Sequence, residues 1–294
     1  MTSRNERGIV MVEPIMKKVN AGALKIQLAV WEGIGKQIIC VHGITANCRC
    51  WDVIASSLSP KHQILAMDLR GRGCSDKPPA GYSLEYHLRD INGLMDNMGL
   101  DKGVLMGHSL GAFISLAFGA EYPEKVDRII LVDGGGDLSQ EQMDKVFEGI
   151  KPSLDRLGKV FSSADAYLET MRQAPYIQPW SSAIETYYRY ELEEVEGGVR
   201  SNIEPDHIDE EAENIKKVKV ASFYPRISSG VLVLRATEGL LRQDDILLPE
   251  EVVKTMVREI PNCRCVDVEG TNHYGIVFQP NVMRDRAILD FLED

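Results

Sequence analysis

The sequence predicts an α/β fold: a mostly parallel, eight-stranded sheet with helices on both faces and a helical segment inserted after the sixth strand. Three observations carry this. Short runs of Val, Ile and Leu alternate with longer stretches of helical spacing along the first 133 residues. Those runs are apolar throughout rather than alternating, as expected of strands covered on both faces. Between Gly134 and about Val220 the strand pattern stops, and it resumes at Gly230-Val231-Leu232-Val233-Leu234.

Ile15 to Val19 and the alternating Lys25 to Trp31 read as an antiparallel hairpin. Gln37 to His42 is the first buried strand and ends at Gly43-Ile44-Thr45. A helix from about Cys50 to Leu58 leads to the strand Gln63 to Asp68, which ends in a glycine-rich turn. Ser83 is placed to cap a helix reaching about Met98. Val104-Leu105-Met106 is then a buried strand, Ala112 to Phe118 lies in a helix, and Arg128 to Val132 is the sixth strand, with Asp133 at its end.

The segment 136–220 is rich in charge and aromatics. Ser139 with Gln142 has the spacing of a capping box; Ala164 to Arg172, Ser181 to Glu194 and Asp209 to Lys217 have helical spacing. An insertion of this size at one rim of a sheet is expected to cover that rim as a lid, with 1–135 and 221–294 forming the core domain. Beyond Gly230 to Arg235 come a helix from Glu250 to Arg258, the strand Arg264 to Val268 and a last helix from about Pro280 to Leu292.

A chain of 294 residues with 44% hydrophobic and 26% charged residues can bury a large core. Its formal charge of −11 argues against nucleic acid or an anionic membrane surface as partner, since both need concentrated Lys and Arg. The polar N-terminus and the absence of a long apolar run make the cytoplasm the default location, with a monomer or homodimer expected. The cysteine pairs Cys48/Cys50 and Cys263/Cys265 are spaced too closely for the familiar zinc pattern, so reduced thiols are expected.

Chemistry centres on Gly107-His108-Ser109-Leu110-Gly111, set between a buried strand and a helix. A serine at so sharp a turn needs neighbours with almost no side chain, and the turn puts the Leu110 amide at a helix N-terminus, where negative charge is favoured. The hydroxyl needs a base within reach. Among six histidines, His108 reads as packing within the turn, His42 as a turn brace, and His62, His87 and His207 as surface residues. His273 follows the last sheet strand in a rim loop and is the base best placed. The orienting carboxylate is Asp133, or else one of Glu238, Asp244 and Asp245 after the seventh strand; spacing alone does not choose.

His42-Gly43, the run Asp68-Leu69-Arg70-Gly71-Arg72-Gly73-Cys74-Ser75, the serine pentapeptide and Asn272-His273-Tyr274, in that order, resemble the α/β-hydrolase family over nearly the whole chain. The family's commonest acid position corresponds to Gly239, in Ala236-Thr237-Glu238-Gly239. The resemblance therefore implies the arrangement of a subset that carries the acid after the sixth strand, at Asp133. It also implies acyl transfer by Ser109, His273 and Asp133, with the Ile44 and Leu110 amides as oxyanion hole and no metal or organic cofactor. Within the family the sequence is similar to members that hydrolyse (acetamidomethylene)succinate. A doubly anionic substrate of that kind calls for cations under the lid, for which Arg172 and Arg189 are candidates, whereas Tyr176, Trp180, Tyr187 and Tyr188 suit an apolar acyl group. The expected activity is hydrolysis of small-molecule carboxylic esters. Lactone, enamide and C–C bond hydrolysis are the alternatives within the scaffold, and a small-molecule receptor is the alternative outside catalysis.

Overall fold

A computed structural model describes residues 2–4, 10–241 and 245–294. Eight strands form the main sheet: β1 (Ile15–Ala21), β2 (Leu24–Trp31), β3 (Gln37–Val41), β4 (Gln63–Met67), β5 (Gly103–His108), β6 (Val126–Val132), β7 (Gly230–Ala236) and β8 (Cys263–Val268). Their spatial order is β8-β7-β6-β5-β3-β4-β2-β1. β1 and β4 each pair antiparallel with β2, and the remaining pairs are parallel. All six residues of β5 are buried, which explains why its sequence is apolar on both faces. Ile129, Ile130, Leu131 and Val132 of β6 are likewise fully enclosed, and truncating one such side chain to alanine costs about 2–5 kcal/mol.

The core helices are α1 (Asp52–Leu58), α2 (Leu84–Met98) and α3 (Leu110–Glu121), with α8 (Glu250–Glu259), α9 (Gly275–Phe278) and α10 (Val282–Glu293) toward the C-terminus; between β6 and β7 lie α4 (Gln140–Leu154), α5 (Ala164–Arg172), α6 (Ser182–Tyr190) and α7 (Pro205–Ile215). α4 starts with the capping box anticipated from Ser139 and Gln142. Ser83 occupies the N-cap position of α2, but its side chain makes no capping hydrogen bond. A two-stranded hairpin, Leu192–Val195 with Gly198–Ser201, also lies in this segment. It ends α6 at Tyr190, short of the Glu194 that helical spacing suggested. The α5 and α6 helices turn Tyr167, Leu168, Ile184, Tyr187 and Tyr188 inward, and these side chains join the same apolar core as the sheet. Among the described residues no helix is long and apolar enough to cross a membrane.

Register fixes where the site must be. His108 pairs with Val132, Val41 with Gly107, Leu234 with Val132, and Ala236 with Val268. The C-terminal ends of five parallel strands are therefore level, and the loops that leave them meet along one rim.

Candidate active site

Ser109 sits between β5 and α3 at φ 55°, ψ −119°, a backbone conformation that costs a non-glycine residue of order 1–3 kcal/mol. The turn is tight enough to exclude side chains on either side. A Cβ on Gly107 would lie 2.0 Å from the Gly111 carbonyl oxygen, and one on Gly111 would lie 1.9 Å from the Val41 oxygen. That crowding lifts Ser109 out of the sheet plane; its neighbours His108 and Leu110 are buried while Ser109 itself is half-buried.

The loop after β8 brings His273 to the same rim. Its Nδ1–H donates to Asp133 Oδ2 at 2.8 Å, and both residues are buried. Two further hydrogen bonds hold Asp133: its amide donates to the Leu234 oxygen at 2.8 Å, and its Oδ1 accepts from the Ala236 amide at 3.0 Å. Its backbone has a positive φ of 47°. The strained backbone turns the carboxylate off the end of β6 toward the β8 loop. His108 is more than packing: its Nε2–H donates to the His273 carbonyl at 2.9 Å, and the two rings lie 4.4 Å apart. Burial, reinforced by the neighbouring His273 ring, holds the His108 imidazole well below the usual histidine range.

The competing acids lie elsewhere. Glu238 is exposed, and its amide donates to the Thr271 oxygen. Asp245 accepts from the Leu240 and Leu241 amides at 2.6 and 2.8 Å, which folds its own loop. Asp244 lies outside the described residues.

Ser109 and His273 open into one cleft, walled by Ile44, Ile150, Tyr187, Val277 and Phe278. Among the described residues that line it there is no Lys or Arg. The Leu110 amide opens α3, where the first N–H groups have no intrahelical acceptor, and Ile44 faces the same cleft. His42 braces the loop between them. Its Nδ1–H donates to the Gly43 oxygen at 2.8 Å, and its Nε2 accepts from the Leu69 amide at 3.0 Å. Accepting at Nε2 requires the neutral ring, and burial lowers its pKa to about 3.

Several expectations need correction. His87 and His62 are buried, not surface residues: His87 Nε2 bonds Glu211 at 2.8 Å, and His62 Nδ1 accepts from the Lys36 amide at 3.2 Å. His207 is half-buried and stacks on Tyr82, ring centroids 4.3 Å apart. Arg172 and Arg189 do not reach the cleft walls; both pair with Glu185 in partly exposed ion pairs. A buried arginine beside the cleft loop is Arg156, which donates to the Thr45 oxygen at 2.8 Å. Sequence patterning gave no reason to single it out, because an arginine in a charged helical segment reads as solvated.

The strained serine turn, the shared rim and the order of the sheet define a fold class, and sequence comparison agrees. The family model for the alpha/beta hydrolase fold matches residues 36–280, and the chain belongs to that family. It is 26% identical over 279 residues to the 2-(acetamidomethylene)succinate hydrolase of Mesorhizobium japonicum, covering 95% of each chain. It is 27% identical to Lipase 1 of Psychrobacter immobilis, covering 83% of this chain and 73% of the lipase. The crystal structure of E-2-(acetamidomethylene)succinate hydrolase superposes with a TM-score of 0.84 at 24% identity, over 96% of this chain and all of that one. At the level of reaction class, these relationships make the protein a hydrolase.

Proposed function

We propose that this protein is a serine hydrolase acting on small carboxylic esters with an uncharged acyl group, and that Ser109, His273 and Asp133 carry the reaction. The reading rests chiefly on one observation: Ser109, held at φ 55°, opens into the same cleft as a histidine whose far nitrogen is fixed to a buried carboxylate at 2.8 Å. In this mechanism His273 Nε2 takes the Ser109 proton as Oγ attacks the ester carbonyl. Asp133 holds the imidazole in the tautomer that leaves Nε2 free, and it stabilises the imidazolium that forms. The Ile44 and Leu110 amides receive the oxyanion, each donor contributing about 3–4 kcal/mol to the transition state. The imidazolium then protonates the departing alkoxide. Water, activated by the same ring, releases the acid from Ser109.

The apolar walls at Ile44, Ile150, Val277 and Phe278 favour an uncharged acyl group over a dicarboxylate. We propose that the α4–α7 segment acts as a lid, since Tyr187 of α6 forms part of the cleft wall and Asn47, two residues beyond the cleft loop, donates to the Tyr187 oxygen at 3.2 Å. Enamide hydrolysis is the second reading, favoured by the likeness to 2-(acetamidomethylene)succinate hydrolase along 95% of both chains. A panel of p-nitrophenyl acetate and butyrate, small lactones, a diketone and (acetamidomethylene)succinate separates the readings. Turnover of the two esters well above that of the dicarboxylate supports the first. The reverse order supports the second, and no turnover of any substrate points to a binding protein on the same scaffold.

A further inference from the structure

The cleft loop, residues 43–45, leaves β3 without a strand partner, so its carbonyls must find donors elsewhere. Three successive carbonyls do so. The Gly43 oxygen accepts from His42 Nδ1 at 2.8 Å and from the Ala46 amide at 3.1 Å. The Ile44 oxygen accepts from Arg72 Nε at 3.0 Å. The Thr45 oxygen accepts from Arg156 Nη2 at 2.8 Å and from the Tyr187 hydroxyl at 3.3 Å. Two guanidiniums thus grip adjacent peptides of the loop whose Ile44 amide is the proposed oxyanion donor.

Both arginines are buried, and each ends on a buried carboxylate from the segment between β6 and β7. Arg72 Nη2 donates to Glu211 Oε2 of α7 at 3.1 Å, and that oxygen is shared with His87 Nε2. Arg156 donates from Nε and Nη2 to the two oxygens of Glu191, which follows α6, at 2.7 and 2.8 Å. A buried guanidinium without its carboxylate is strongly unfavourable, so removing the partner drives the group to rearrange. The planar fork of arginine lets one edge hold the carboxylate while the other holds the carbonyl, so the two contacts stand or fall together. The Ile44 N–H lies in the peptide plane of the Gly43 carbonyl, which His42 and the Ala46 amide hold. Arg72 and Arg156 hold the next two planes and so restrict the rotation at Ile44 and Thr45 that would let that plane turn.

We propose that Arg72 and Arg156 are positioning residues for the oxyanion hole: Arg72 of the core steadies the Ile44 peptide while Glu211 of the helical insertion is docked on it, and Arg156, itself part of the insertion and fixed there by Glu191, reaches across to the Thr45 carbonyl. Closure of the insertion then completes the catalytic geometry through buried hydrogen bonds as well as by covering the cleft. The proposal rests on the reading of Ser109 as nucleophile.

The test compares Glu211→Gln, Glu191→Gln and Arg72→Lys with the unaltered protein, using p-nitrophenyl acetate for turnover and phenylboronic acid as a probe that becomes tetrahedral on Ser109. Melting curves establish that each variant is folded. The expected result is a kcat lower by about 10–100-fold with KM within about threefold, a partial loss compared with about 10²–10³ for removing an oxyanion donor outright. The phenylboronic acid Ki should rise by a similar factor. If Arg72→Lys does not fold, the near-isosteric Glu211→Gln reads the same arm of the clamp. Folded glutamine variants with kcat within threefold of the unaltered protein overturn the proposal. So does a kcat loss that leaves the boronic acid Ki unmoved. Ser109→Ala separates the two levels: if it stays active, the nucleophile assignment fails and the clamp with it. If it is inactive while both glutamine variants keep full kcat, the clamp alone fails.

Discussion

Replacing Asp133 with asparagine changes one atom and leaves the fold in place, yet the hydrogen-bond pattern around it makes the consequence calculable. Asp133 Oδ1 accepts from the Ala236 amide at 3.0 Å and Oδ2 accepts from His273 Nδ1 at 2.8 Å. Asparagine can satisfy only one of these donors. With its carbonyl toward Ala236, its NH2 group faces Nδ1, which must then be unprotonated. The proton moves to Nε2, and the ring can no longer accept one from Ser109. With the amide reversed, the active tautomer returns, but two buried donors face each other at Ala236, a penalty of about 3 kcal/mol. That route alone implies a loss of about 10²-fold. Complete trapping in the wrong tautomer corresponds to about 10⁴-fold in kcat, as in comparable triads. Asp133→Asn is therefore expected to lower kcat for p-nitrophenyl acetate at pH 7.5 by 10²- to 10⁴-fold, with an unchanged melting profile outside the site. Asp245→Asn, whose carboxylate serves the Leu240 and Leu241 amides, should stay within about threefold. A folded Asp133→Asn enzyme within tenfold of the unaltered rate, or an equal loss in Asp245→Asn, would refute this wiring.

Arg172→Ala and Arg189→Ala should each leave ester turnover within about twofold, since both arginines are engaged with Glu185 in partly exposed pairs; a tenfold rise in KM would place one of them at the substrate. Ile150→Ala should shift preference several-fold from acetate toward butyrate esters in a kcat/KM comparison, because Ile150 walls the cleft. An unchanged ratio would mean that the acyl chain lies elsewhere. Acid stability has a defined sign. His42 is held neutral with its pKa lowered to about 3, whereas the unfolded ring takes a proton near 6.5; its contribution is therefore present above 6.5 and lost as pH falls toward 3. Glu211, lowered to about 2 despite its burial by His87 and Arg72 beside it, contributes above 4.5 and loses that contribution between 4.5 and 2. His42→Gln should flatten the dependence of melting temperature on pH across the first window and Glu211→Gln across the second; parallel curves for variant and parent would contradict both assignments.

The sheet was legible because burial on both faces leaves apolar runs, and β3, β5, β6 and β7 all carry them. The turn at Ser109 was legible because its sterics demand glycine at 107 and 111. The hairpin at Leu192–Ser201 escaped because its strands are short, charged and only partly buried. Its signal was present in Gly197-Gly198, both at positive φ, the first in the turn and the second opening the returning strand. His87 looked like a surface residue because nothing near it in sequence offers a partner; Glu211 lies 124 positions away. The same holds for Arg72 and Arg156. A buried charge is stable only through its partner, and partners brought together by tertiary structure leave no local pattern to read. Spacing alone left the acid open between Asp133 and the later carboxylates, and only the family resemblance pointed to Asp133, for a related reason: both loops leave the same rim, and register and backbone strain determine which carboxylate reaches the imidazole.

The central claim is that Ser109 is the nucleophile, raised by its turn and activated by His273. Treatment with a fluorophosphonate followed by peptide mass spectrometry tests it most directly. The account predicts a single adduct on the peptide containing Ser109, formed in step with loss of p-nitrophenyl acetate hydrolysis, and neither labelling nor turnover in Ser109→Ala. An adduct on another residue that tracks the loss of activity, or full turnover in Ser109→Ala, would contradict it.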